Sequence, residues 1–210
     1  AADYDGDGTT DLAVWRPSTG RWTIFYSHSR TMAQLVLGGP GQRPVPADTD
    51  GNGKAEPMTW DPATGLWHLR TKVIRWGDLH DDVPVPADYS GDGRADLAVW
   101  RPSTGGWHVR GHATVTHGDP WHVPAPADYD GDGDADPATW SPNTRQFHVW
   151  GNAPRAYGLF ADVPLPGPYD GDAPAELAAW GASGGTGRWL VESIGLLPIG
   201  TQGDQPIPAS

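Results

Sequence analysis

The 210-residue chain has no cysteine, which excludes disulfides and thiolate metal sites. No apolar run approaches the ~20 residues that a membrane helix needs, so membrane insertion is not expected. The chain opens at Ala1-Ala2-Asp3 without a charged n-region or an apolar h-region, as either a mature product or a trimmed one would. Positive charge is scarce: 14 bases face 26 acids, and only two of those bases are lysine. The resulting net charge of −12 argues against nucleic acid as a partner, which would call for a basic face. Motifs for the common nucleophile, zinc and phosphate sites (Gly-x-Ser-x-Gly, His-Glu-x-x-His, a phosphate loop) are also missing.

What the chain has in excess is 29 Gly, 22 Pro and 12 Trp. Prolines every few residues exclude a helical fold. The tryptophans argue against disorder, because disordered chains are poor in aromatics. A turn-rich β-protein with an aromatic core follows.

Self-similarity organises the rest. ADYDGDGTTDLAVWRPSTGRW (2–22) returns as ADTDGNGKAEPMTWDPATGLW (47–67), ADYSGDGRADLAVWRPSTGGW (87–107) and ADYDGDGDADPATWSPNTRQF (127–147). A weaker copy, GPYDGDAPAELAAWGASGGTGRW, spans 167–189. A period of about 40 residues marks a propeller, a solenoid or an array. Each unit reads as a P-x-P strand, an acidic Gly-rich loop, a strand ending in Trp, a Pro-x-Thr-Gly turn, a second aromatic strand, and a last strand ending on a bulky residue plus Gly. Pro presets the first turn residue and Gly takes the left-handed one. Four short strands per unit make a propeller blade; separate hairpins this small would not stand alone. The expected fold is an all-β, five-bladed β-propeller in one domain, with repeats 2–46, 47–86, 87–126, 127–166 and 167–208. The first unit lacks its P-x-P strand and Pro206-Ile207-Pro208 matches Pro44-Val45-Pro46. The C-terminal strand is therefore expected to complete the N-terminal blade and close the ring.

The loops carry the chemistry. In the first, Asp3, Asp5, Asp7 and Asp11 place side-chain oxygens at positions 1, 3, 5 and 9, and Thr9 offers its carbonyl at position 7. The same scheme gives Asp48, Asp50, Asn52, Lys54 and Glu56; Asp88, Ser90, Asp92, Arg94 and Asp96; and Asp128, Asp130, Asp132, Asp134 and Asp136. Hard cations such as calcium take six to eight oxygens, and Gly-rich loops wrap them tightly. An EF-hand is excluded, because its position-12 glutamate is replaced by Val14. The four loops supply 14 of the 26 acids as side-chain donors, and four divalent ions would bring the net charge to −4. An acidic Asx-turn without metal is the alternative. The fifth loop, with Pro168 and Ala173 in place of the first acid and a glycine, keeps Asp170, Asp172 and Glu176 and is expected to be empty. Modules that bind calcium at roughly 0.1–1 mM work outside the cytosol, so a secreted or cell-surface location is expected.

These loop-plus-hairpin units resemble the FG-GAP/VCBS repeat family, whose compact form reads DYDGDGKADLAVWRPSTG; the likeness is strongest over 88–107 and extends over nearly the whole chain. The resemblance implies a β-propeller with calcium in the blade loops. Bacterial members of that family are commonly secreted, often joined to carbohydrate-active enzymes or acting as lectins and adhesion modules, and the resemblance implies a role of that kind. The chain has five repeats where the family usually has seven.

The recurrent Trp15, Trp60, Trp100, Trp140 and Trp180, with Trp22, Trp67, Trp107, Phe147 and Trp189, suit blade-to-blade packing; stacking on sugars is the alternative. Alternation along the third strand puts His68 and Arg70, His108 and Arg110, and His148 and Trp150 on the face opposite the core. That face is either solvated or a repeated groove for glycan or polysaccharide. The first and fifth blades put Thr23 and Phe25, and Leu190 and Glu192, in the same places. An enzyme would use the asymmetric set His108, Arg110, His112, His117 and Asp119, beside His122, as acid–base groups. A calcium-stabilised lectin or carbohydrate-binding module is the preferred reading; an enzyme with a site near the third blade or the channel mouth, and a purely structural scaffold, stay open. Oligomeric state and ligand identity are not legible.

Overall fold

The computed structural model describes residues 2–77, 81–158, 163–167, 174–183 and 186–197. The fold is all-β, a five-bladed β-propeller, and no helix occurs among the described residues. The first sheet has three strands, β1 (Leu12–Arg16), β2 (Arg21–Tyr26) and β3 (Thr31–Val36). The second has four, β4 (Arg43–Pro44), β5 (Thr59–Asp61), β6 (Leu66–His68) and β7 (Val73–Arg75). The third runs β8 (Val83–Pro84), β9 (Ala98–Arg101), β10 (Gly106–Val109) and β11 (Val115–Thr116). The fourth is β12 (Val123–Pro124), β13 (Ala138–Ser141), β14 (Gln146–Val149) and β15 (Arg155–Ala156). The fifth is β16 (Val163–Pro164), β17 (Ala178–Ser183), β18 (Thr186–Val191) and β19 (Gly195–Leu197). Two compact units hold these strands: Ala1–Arg101 with Gly106–Thr114, and Pro102–Gly105 with Val115–Ala209.

The first sheet has three strands among the described residues. The segment expected to complete it, 205–209, lies outside the described residues. The sheets are offset from the sequence repeats by one strand, since Arg43–Pro44 ends one repeat yet pairs with Trp60 and Thr59 of the next. Proline is tolerated there because these strands are sheet edges, where no ladder N–H is needed. The residue after each proline resumes the ladder: Val45 N–H donates to the Met58 carbonyl at 2.9 Å, and Val85 to Ala98 at 2.9 Å.

The aromatic pairs are core. Trp60 faces Trp67, Trp100 faces Trp107 and Trp140 faces Phe147 across adjacent strands. All six are fully buried, so the packing reading of these rings holds and sugar stacking on them does not. At about 25 cal/mol per Å2 and 150–250 Å2 per ring, each contributes about 4–6 kcal/mol of transfer free energy. Several indole N–H groups of the repeat are satisfied locally, whereas Trp60 Nε1 is buried without a hydrogen-bond partner. Trp67 donates to the Trp76 carbonyl at 2.9 Å, and Trp15 and Trp22 both donate to the Leu37 carbonyl. This explains the bulky-residue-plus-Gly ending. The carbonyl receives the indole, and the glycine (Gly38 and Gly77, both at φ +80°) turns the chain away.

The hairpin tips need glycine for a second reason. A Cβ on Gly20 would lie 2.2 Å from the Gly38 carbonyl oxygen, and Gly20 already sits at φ +64°. The fourth sheet breaks the pattern with Arg145 at φ +57°.

Candidate functional site

Each acidic loop is closed at its base by a bridge, Ala2 with Asp11, Ala47 with Glu56, Ala87 with Asp96 and Ala127 with Asp136. The position-1 aspartate folds the loop around itself: Asp3 accepts from Gly6 N–H at 2.6 Å and Gly8 N–H at 2.8 Å. Asp48 accepts likewise from Gly51 and Gly53, and Asp128 from Gly131 and Gly133. The position-5 groups Asp7, Asn52, Asp92 and Asp132 each accept from the position-7 N–H, of Thr9, Lys54, Arg94 and Asp134 respectively, at 2.8–3.0 Å. The position-9 acid accepts from the position-2 N–H: Asp11 from Tyr4, Glu56 from Thr49, Asp96 from Tyr89, Asp136 from Tyr129. The loops also join in series, since Ala55 N–H donates to the Asp3 carbonyl at 2.7 Å and Ala95 N–H to that of Asp48 at 2.6 Å.

This scaffold brings positions 1, 3 and 9 together. Carboxylate oxygens of Asp3, Asp5 and Asp11 lie within 4.8 Å of one another, as do those of Asp48, Asp50 and Glu56, and of Asp128, Asp130 and Asp136. In the third loop Ser90 takes position 3 and leaves Asp88 and Asp96 as the carboxylates. The electrostatics are those of a crowded anion cluster. Partial desolvation, then repulsion from Asp7 and Asp11, pushes the Asp5 carboxyl up; burial and the neighbouring aspartates do the same to Asp96 and Asp136. Burial, then the charge of Asp11, raises the Tyr4 phenol to about 12. Asp5 Oδ1 is buried without a hydrogen-bond partner. Oxygen-only donors, mutual repulsion and an unpartnered carboxylate oxygen fit a hard cation such as calcium. Of the fifth loop, 168–173 lie outside the described residues; Glu176 accepts from Ser193 N–H at 2.8 Å.

The histidine–arginine face divides. His68, His108 and His148 lie on the strands β6, β10 and β14 and are half-buried, whereas Arg70, Arg110 and Trp150 are exposed. β10 ends at Val109 and the chain turns at once, so His108, Arg110 and His112 do not continue along one strand face. His108 lines a groove of about 370 Å3 with Arg75, Trp76, Gly77 and Arg101. Arg110 lines a different groove, of about 170 Å3, beside Lys72 and Arg94. His112 instead reaches the loop acid Asp96, Nε2 to Oδ2 at 3.9 Å.

His117 and Asp119 belong to a cluster of their own in the second unit. His117 Nε2–H donates to the His148 carbonyl at 2.6 Å. The His122 ring packs on the His148 ring with centroids 4.8 Å apart. His122 Nδ1 lies 3.0 Å from the Thr139 hydroxyl and accepts from Asp119 N–H, which leaves Nε2 facing the Asp119 carboxylate at 3.7 Å. Burial, then the neighbouring histidines, lowers the His122 and His148 imidazoles below their ordinary 6.5.

Sequence reasoning missed the groove residues Arg75, Arg101 and Arg145. The last of these carried a signal, because it stands at the turn position that is glycine in other repeats. A second groove, of about 310 Å3, repeats the first in the second unit, lined by Thr144, Arg145, Ala156, Tyr157, Gly158 and Leu190. Tyr157 and Leu190 there occupy the repeat positions of Trp76 and His108.

A scan against protein-family models, a search of curated proteins and a search of solved structures return no match to this chain.

Proposed function

We propose that this propeller is a binding module, stabilised by calcium in its blade loops, that holds carbohydrate in the grooves between blades. The observation behind this reading is the recurrence of one groove. Trp76 and His108 in one unit and Tyr157 and Leu190 in the other fill equivalent positions. Each groove also carries a guanidinium, Arg75 on the edge strand in the first and Arg145 at the hairpin turn in the second, where Ala156 takes the Arg75 position. Ring faces of sugars stack on aromatics, and guanidinium and imidazole groups supply hydrogen bonds to hydroxyls. Weak single sites suit a repetitive polymer, where linkage raises avidity by about 10²–10⁴. A calcium requirement places the module outside the cytosol, as a secreted or surface protein.

Two measurements test it. Calorimetry against a panel of polysaccharides in millimolar calcium is expected to show binding that weakens in Arg75→Ala and His108→Ala; no binding to any of them removes the carbohydrate reading. Metal analysis is expected to find about four calcium ions. At ten-fold excess over Kd each site contributes about 1.4 kcal/mol, so chelation costs roughly 6 kcal/mol and lowers Tm sharply. A protein that holds no ion and keeps its Tm in chelator removes the calcium reading.

A further inference from the structure

The 170 Å3 groove in the first unit gathers basic side chains in an otherwise acidic protein. Three of the chain's 14 basic side chains, Lys72, Arg94 and Arg110, line it around an apolar floor of Leu69, Ile74 and Leu97. Each is held at the backbone. The Lys72 carbonyl accepts from Leu69 N–H at 2.9 Å, closing the β6–β7 turn, and Arg110 N–H donates to the Leu97 carbonyl at 2.9 Å. The stem of Arg94 lies across the second loop, so close that a Cβ on Gly51 would come within 2.9 Å of its Cγ. The loop acids Asp92 and Asp96 also line the groove. None of the three cations forms an ion pair among the described residues. The corresponding repeat positions one blade later hold Asp134 and Trp150 in place of Arg94 and Arg110.

In a chain of net charge −12, the three exposed cations of this groove outnumber its two acids, Asp92 and Asp96, and so offer a locally positive surface to an anion. We infer that this groove is an anion-selective subsite, and that the carbohydrate it takes is an acidic one. A carboxylate or sulfate group is held by Lys72, Arg94 and Arg110 while the sugar ring lies on Leu69, Ile74 and Leu97. Guanidinium groups bind such oxyanions through paired N–H donors. The choice of an acidic sugar rests on the carbohydrate reading; the anion site itself does not.

The experiment therefore separates the two. Titrations use a glucuronate-containing oligosaccharide, a sulfated oligosaccharide and a neutral glucan oligosaccharide, with inorganic sulfate in a parallel thermal-shift series, all in millimolar calcium. The acidic sugars are expected to bind, weakening at least ten-fold in Arg94→Gln/Arg110→Gln and weakening with added salt, while the exposed control Arg30→Gln leaves binding unchanged. The glucuronate and sulfated arms tell which oxyanion is preferred. A sulfate-dependent rise in Tm that vanishes in the double variant supports the anion site even if no sugar binds, an outcome that overturns the carbohydrate reading alone. Neutral sugar binding with no response to acidic sugars or sulfate overturns the inference and leaves the carbohydrate reading in place.

Discussion

The same seam is built twice with different chemistry. In the first unit the Trp76 indole, at the end of one blade, donates to the His108 carbonyl on the third strand of the next at 2.8 Å. Beside it Arg101 and Asp82 form a buried ion pair at 2.8 Å. In the second unit the His117 imidazole donates to the His148 carbonyl, and His122 takes the place of Asp82. These two seams each aim a side-chain donor at that carbonyl and set a polar group before the Val-Pro edge strand. The residues that do so differ between them. Indole and guanidinium keep their protons at any physiological pH, whereas imidazole does not. The second seam therefore carries imidazoles where the first carries an indole and a carboxylate, and imidazole is the group whose charge changes near neutral pH.

The largest effect is expected where the first seam is broken. Asp82→Ala leaves the Arg101 guanidinium without its buried counter-charge and is expected to cost about 3–5 kcal/mol, read by denaturant unfolding. A loss below 1 kcal/mol would show that the pair is decorative. Trp76→His converts the first seam towards the chemistry of the second. It is expected to cost about 2 kcal/mol through lost volume and to add a fall in Tm below pH 6.5. The second seam already carries such a fall. The folded-state pKa values of His122 and His148 are lowered below 6.5, so above that pH both states are neutral and nothing is gained or lost. As pH drops below 6.5 the unfolded chain takes up protons that the folded one refuses, and stability declines until the folded pKa is passed. His122→Gln should flatten this decline in a pH series of Tm; an unchanged slope would mean the cluster does not set it. The smallest effect concerns the hairpin tips. Gly65 fills this turn position in the first unit at φ +67°, and Arg145 fills it in the second at φ +57°. Arg145→Gly is expected to stabilise by about 1 kcal/mol, the cost of a left-handed L-residue, measured by equilibrium unfolding.

The sequence showed the blades because their demands are local and repeated. Trp60 and Trp67 face each other across one hairpin and Trp100 and Trp107 across another, each with a Gly in its turn. The acidic loops were legible for the same reason, since Asp3, Asp5 and Asp11 lie within nine residues. The seams were not. Trp76 and His108 are 32 residues apart, and a period of 40 reveals which positions are equivalent without saying which of them touch across repeats. The bulky residue before each closing Gly was visible as a size preference; that Trp76 and His117 donate to the next blade needed the fold. The pairing of His108 with Arg110 failed for another reason. Alternation assigns both to one face only while a strand lasts, and β10 stops one residue short of Arg110.

The one-strand offset between repeats and sheets has a consequence for how the chain reaches its native state. Because each edge strand precedes its sheet, the second sheet is drawn entirely from 43–75, the third from 83–116 and the fourth from 123–156. Each is an uninterrupted meander in which every strand pairs with its sequence neighbour, the edge strand across the acidic loop and the others across short turns. Contacts therefore stay local, as in folds of low contact order that form quickly. Speed matters here because the repeats are near copies. Val83–Pro84 could pair in register with Trp60 as well as with Trp100, and such a swap would thread two blades through each other. A meander that zips from its own neighbours closes before the distant copy arrives, so local order of assembly protects a chain whose side chains alone do not distinguish one blade from the next.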